Sequence, residues 1–175
     1  RCKDNDNGEN ENISIFVGIK QSGMSKELRA FVDLGEWLSA WTDAYSSGED
    51  MVNDIDKELA SLVGVLQEYN GWFSEDNVLF ALRHISEMLQ KSRLEAWLSS
   101  YNVTAGKPSN VALIMAGNVP LVGFHDVLCV LLTGNIAQVK HSSDDDRLFP
   151  LLWKKLIQFD SSLEGRIVFQ KDTLK

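Results

Sequence analysis

From Ser25 onward, Leu28, Phe31, Val32, Gly35, Leu38, Trp41 and Tyr45 recur at three- and four-residue steps. That spacing winds onto one face of a helix and predicts an element that buries one stripe. Met51, Ile55, Leu59, Leu62, Leu66 and Tyr69 form a second stripe, followed by Asn70 and Gly71, residues suited to a left-handed cap at a helix end. Ser74 with Glu75 and Asp76 reads as an N-cap with acids in the first turn, where they complement the helix dipole. Val78, Leu82, Ile85 and Leu89 continue a third helix, and Leu94, Trp97 and Leu98 extend it or form a short fourth.

At Pro108 the pattern changes. Residues 111–115 are continuously apolar, as expected of a strand covered on both faces. Ala116, Gly117, Asn118, Val119 and Pro120 make a turn, and 122–132 is apolar and of helix length, ending at Gly134 and Asn135. A second strand is expected over 136–140, a helix over 144–159 and a third strand over 166–169. This alternation with short connections predicts a parallel, right-handed α/β unit. The division expected is a tail over 1–23, a helical region over 24–107 and an α/β region over 108–175. The tail mixes Asn5, Asn7, Asn10 and Asn12 with acids and shows no sustained period. It is read as disordered or as a non-native extension, with Met24 as the native start.

Composition narrows the function classes. A chain of 175 residues that is 44% hydrophobic can bury a real core. The net charge of -8 and the absence of a Lys/Arg cluster exclude phosphate-backbone binding as the main role. Cys2 and Cys129 offer neither a disulfide framework nor metal-ligand spacing. The longest apolar stretch, 121–132, is broken by His125 and Asp126 and falls short of the roughly 20 residues that span a bilayer. With no export signal either, a cytoplasmic protein is the expectation.

Open parallel sheets bind ligands beyond the carboxyl ends of their strands, which singles out the loops after Met115 and after Val139. In the first, Gly117 permits close backbone approach, Asn118 offers an amide donor and Pro120 suits the first turn of a helix. In the second, Lys140, His141, Ser142 and Ser143 supply a cation and hydroxyls suited to a ribose or phosphate. Neither G-x-G-x-x-G nor a P-loop is present.

Together these pieces are more specific. AGNVPLVGFHDVLCVLLTGNIAQVKHSS, residues 116–143, resembles the cofactor-binding segment of the aldehyde dehydrogenase superfamily, and within it the Lux-type acyl-CoA reductases of bacteria. NGWFSEDNVLFAL, residues 70–82, resembles the N-terminal region of the same family. The resemblance covers about residues 24–175 and implies a Rossmann-like βαβαβ cofactor-binding unit. It implies NAD(P)H-dependent reduction of a fatty acyl-CoA or acyl-protein thioester to the aldehyde. Asn118 takes the place of the amide that holds the thioester oxygen. Met115, Ala116, Gly117, Lys140, Ser142 and Ser143 take cofactor positions, Lys140 on the adenine-side ribose. Ser143 stands where NAD-preferring members often carry Glu, so NADPH is the expected cofactor, with NADH also open. The family's nucleophilic cysteine and its catalytic domain come after the lysine and are absent from these residues, which are therefore expected to be catalytically silent. A homo-oligomer is open for the full-length enzyme.

Blander roles compete at each position. Asn118 alone is a turn residue, Lys140 alone a solvated strand end, and Cys129 a buried small hydrophobe. His125 and Asp126 are adjacent on a helix and do not face each other. Asp144, Asp145 and Asp146 read as an acidic helix start rather than a metal site, and the five tryptophans read as core. Rival functions are an aldehyde dehydrogenase working oxidatively and a noncatalytic α/β interaction module. The reductase reading requires the amide of 118 and the ammonium of 140 to leave neighbouring parallel strands and converge on one nucleotide.

Overall fold

The computed structural model describes residues 24–101, 107–142 and 146–170. Its elements are α1 (Lys26–Ser47), α2 (Asp54–Tyr69), α3 (Glu75–Met88), α4 (Lys91–Leu98), β1 (Asn110–Ile114), α5 (Phe124–Leu132), β2 (Ile136–Lys140), α6 (Leu148–Phe159) and β3 (Ile167–Phe169). The expected tail lies outside the described residues.

Local chemistry sets the helix starts. The Ser25 side chain accepts from Leu28 N, Asn53 from Asp56 N and Ser74 from Asn77 N, each satisfying a donor that the first turn leaves orphaned. Leu28, Phe31, Leu34 and Leu38 of α1 are buried, as are Ile55, Leu59, Val63 and Leu66 of α2 and Val78, Leu82 and Ile85 of α3. Each such Leu or Phe removed from water contributes about 1.5–3 kcal/mol. Gly35 lets α1 and α3 close together, since a Cβ there would sit 2.6 Å from Leu89 Cβ and 3.3 Å from the Ser86 carbonyl. The chain breaks at Leu89 and Gln90, so 91–98 is a separate short helix rather than an extension of α3.

β1, β2 and β3 form a parallel sheet in that order, with Ile114 opposite Lys140 and Ala137 opposite Ile167. Strand, helix, strand, helix, strand follow one another as the sequence pattern requires. One expectation fails: β1 is a sheet edge with alternating exposure, and Ile114 is 80% exposed. Its apolar run is covered on one face only among the described residues. Helix α6 begins at Leu148, later than expected, with Arg147 before it and no side-chain cap. Asp144 and Asp145 lie outside the described residues, and Asp146 pairs at 3.7 Å with Arg147.

The helical region and the sheet share one hydrophobic core. Phe31 of α1 meets Phe124 of α5 edge-on at 6.4 Å, and Phe124 meets Phe149 of α6 at 6.0 Å. At the far end of α5, Gly134 takes φ 82, and Arg166 donates to the carbonyls of Asn135 and Leu131. The tryptophans are less uniformly core than expected. Trp41 and Trp153 are buried, Trp37 and Trp97 half-buried, and Trp72 is 68% exposed.

Candidate functional site at the carboxyl edge of the sheet

Residues 115–123 carry the chain from β1 into α5. The turn starts from a fixed point, because Met115 N donates to the Lys140 carbonyl at 3.0 Å. It also ends on one. Leu121 has φ 59, a left-handed conformation rare for a residue with a branched side chain, yet the residue is buried. Such a conformation costs of order 1–3 kcal/mol and persists only where the surroundings over-determine it. Here burial of the Leu121 side chain and the bond from Phe124 N to the Leu121 carbonyl at 2.9 Å supply that constraint. Met115 is buried, and its side chain packs where a Cβ on Gly123 would stand, 2.7 Å away. The Met115 side chain is therefore turned into the core, away from the position expected of a cofactor contact.

Asn118 stands at the exposed crest of this turn, with no hydrogen-bond partner for its amide among the described residues. It lines an apolar groove of about 590 Å³ together with Trp72, Phe80, Ala81, Ile85, Val119 and Leu121. Small-molecule sites fall at roughly 300–1,000 Å³ and pair apolar walls with a few polar groups. Phe80 is 64% and Val119 47% exposed. Sequence reasoning missed Trp72 and Phe80 as site residues. The available signal was that Phe80 lies off the buried stripe of Val78, Leu82 and Ile85, an aromatic placed toward solvent.

On the other loop, Lys140 is half-exposed and forms no ion pair among the described residues. Alternation along β2 places it on the face of Gln138, and its ladder partner Ile114 shares that face. Asn110, Gln138 and Gln170 join their amides across that face, at 3.1 and 2.6 Å. The opposite face, carrying Ala137 and Val139, is buried. Asn118 and Lys140 therefore leave neighbouring parallel strands at one edge; Asn118 lines the groove against α3, and Lys140 lies on the face of Gln138 and Ile114. Ala116 is exposed, Gly117 and Ser142 half-buried, and Ser143 lies outside the described residues.

Cys129 is half-buried rather than buried, with its sulfur 3.8 Å from His125 Nδ1. Burial first, then the charge of Asp126, pushes its thiol up from the usual value, the opposite of what an activated nucleophile needs. His125 instead packs at 5.5 Å on Trp97. No cluster of His, Cys, Asp or Glu among the described residues could hold a metal, and no described helix is long and apolar enough to cross a membrane.

Compared with known proteins, residues 28–170 match the family model described as acyl-CoA reductase (LuxC). No curated protein and no solved structure matches the chain.

Proposed function

Because the chain belongs to the LuxC family of acyl-CoA reductases, we propose that it serves reduction of a fatty acyl thioester to the aldehyde, with NADPH as reductant. The overall change is R–CO–SCoA + NADPH + H⁺ → R–CHO + CoA–SH + NADP⁺. The carbonyl carbon gains a hydride, the thiol leaves, and the nicotinamide is oxidised. One observation carries the substrate class: the exposed amide of Asn118 borders an apolar groove large enough for an acyl chain. The acyl chain lies along Trp72, Phe80 and Ile85, and its carbonyl oxygen meets the Asn118 amide. A fixed neutral donor stabilises oxygen charge as it develops, which is where catalysis gains most.

NADPH, when bound, supplies the hydride. The residues present fit part of its site. Lys140 at the end of β2 offers a cation without an ion-pair partner among the described residues, opposite Ile114 across the β1–β2 ladder and with its carbonyl bonded to Met115 N. Lys140 and Ser142 would hold ribose hydroxyls, and Ser143 in place of a carboxylate admits a 2′-phosphate. Cys129, its thiol pushed up by burial and by Asp126, is unsuited to attack the thioester.

The test is steady-state turnover by the whole polypeptide that carries this chain. Long-chain acyl-CoA and NADPH should give aldehyde and free CoA thiol, and Asn118→Ala should lower kcat by about 10²–10³. Wild-type kcat in the alanine variant, or a preference for NADH, would refute the corresponding half of the reading.

A further inference from the structure

Asn70 was expected to end α2 in a left-handed cap, but its backbone is extended, with φ -143 and ψ 110. Its side chain has a different task. The carboxamide nitrogen donates to the Gly117 carbonyl at 2.6 Å, across 47 residues of sequence. The same side chain accepts from Trp72 N at 3.0 Å. Its backbone N–H donates to Leu66 O at 3.0 Å and its carbonyl accepts from Phe73 N at 2.8 Å. Asn70 is only 7% exposed and Phe73 is fully buried. The carboxamide is thus held at both ends and cannot rotate without breaking a contact.

Resting on the reading of Asn118 as the donor to the thioester oxygen, we propose that Asn70 is a positioning residue that aims it. The Gly117 carbonyl and the Asn118 N–H belong to one planar peptide, so gripping the oxygen fixes the plane from which Asn118 projects. Gly117 is otherwise the most permissive position in the turn. On the far side, Pro120 has a ring-fixed φ, and Leu121 is locked in its left-handed conformation. These anchors bracket Asn118 on both sides. The helical region therefore supplies both a wall of the groove and the grip on its polar end.

This grip acts on the transition state and should show in kcat. Asn70→Asp is nearly isosteric and keeps an acceptor for Trp72 N, but replaces the donor facing Gly117 with an oxygen. A double-mutant cycle with Asn118→Ala in the whole polypeptide separates aiming from mere stability. The expected result is a kcat lowered about tenfold to hundredfold by Asn70→Asp, with KM for acyl-CoA and NADPH within about twofold. In the Asn118→Ala background the same change should cost less than about twofold. If Asn70→Asp does not fold, Asn70→Gln lengthens the arm by a methylene, keeps both polar groups and is run through the same cycle. An equal loss in both backgrounds, or unchanged kcat on Asn70→Asp with Asn118 intact, overturns the positioning role and leaves the donor reading standing. Wild-type kcat in Asn118→Ala alone overturns the donor reading and this proposal with it.

Discussion

Arg166 offers the sharpest test of how the α/β unit is held together. The residue precedes β3, and its guanidinium reaches back to the connection between α5 and β2. Nε and one terminal nitrogen donate to the Asn135 carbonyl at 3.0 and 2.8 Å, and the latter nitrogen also donates to Leu131 at 3.0 Å. The last carbonyls of a helix lack internal partners and carry the negative end of its dipole, so a cation there is doubly favoured. Leu131 keeps a second donor, Gly134 N at 3.0 Å. Replacing Arg166 with Met therefore chiefly removes the charged hydrogen bonds to Asn135. Hydrogen bonds to charged groups contribute about 1.5–3 kcal/mol each, and the site is half-buried, so the loss should be about 2 kcal/mol. For a chain of this size each kcal/mol shifts Tm by about 2–4 °C, giving a fall of about 4–8 °C. Thermal unfolding followed by circular dichroism reads this directly. Arg166→Lys should recover no more than about half, because an ammonium lacks the planar fork that meets two carbonyls. A Met variant melting within about 2 °C of wild type, or a fully stable Lys variant, would show that the clasp is incidental.

Other predictions follow from the packing and the groove. Gly35→Ala should gain about 1 kcal/mol of helix propensity yet lose more through the clash with Leu89 Cβ and the Ser86 carbonyl, lowering the urea midpoint; a rise in the midpoint would mean that α1 and α3 part easily. Phe80→Glu, at a 64% exposed position, should leave Tm nearly unchanged but raise KM for long-chain acyl-CoA by about tenfold, and leave acetyl-CoA unaffected, because only a long chain must be buried beside the new charge; equal effects on both would remove the chain from the groove. Lys140→Met should raise KM for NADPH with little change in KM for acyl-CoA, and the reverse pattern would exchange the two sites. Iodoacetamide labelling of Cys129, followed by mass spectrometry, should reach its midpoint above the pH of an ordinary thiol, since burial and Asp126 both disfavour the thiolate; Asp126→Asn should lower that midpoint.

Much of the architecture was legible because periodicity reports which face is buried. The stripes from Leu28, Met51 and Val78 became helices, although α2 starts only at Asp54 and Tyr69 at its end is exposed, and Ser74 became the cap that it was read to be. The 136–140 segment became β2 without adjustment. Periodicity says less about what lies beyond a face. The apolar run at 111–115 implied cover on both sides, whereas alternation in the structure leaves Ala112 and Ile114 exposed. The turn at 116–120 was visible through Gly117, Asn118 and Pro120, because each residue type has its own backbone or donor property. Its partners were not visible, because Trp72, Phe80 and Asn70 reach it through tertiary packing across tens of residues. Asn70 shows the limit well: an Asn-Gly pair at a helix end suits a local left-handed cap, and only a distant carbonyl reveals the other use of the amide.

The separation of Asn118 from Lys140 alters what the carboxyl edge must do. Alternation puts Lys140 with Gln138 and Ile114 on one face of the sheet, while Asn118, in the turn beyond β1, borders the groove against α3. On the proposed reading these surroundings would suit a thioester and a dinucleotide, because an acyl chain needs apolar walls and a ribose needs hydroxyl partners. Their reactive ends must still meet, and the structure offers one short route. Met115 N bonds the Lys140 carbonyl, so the Asn118 turn begins beside the strand end that carries the lysine. On the proposed reading the two ligands would meet over the turn between Met115 and Leu121, the segment held by the Lys140 carbonyl, Asn70 and the buried Leu121. On that reading rigidity there would serve catalysis, since misplacing either reacting group by an ångström can cost about a hundredfold in rate.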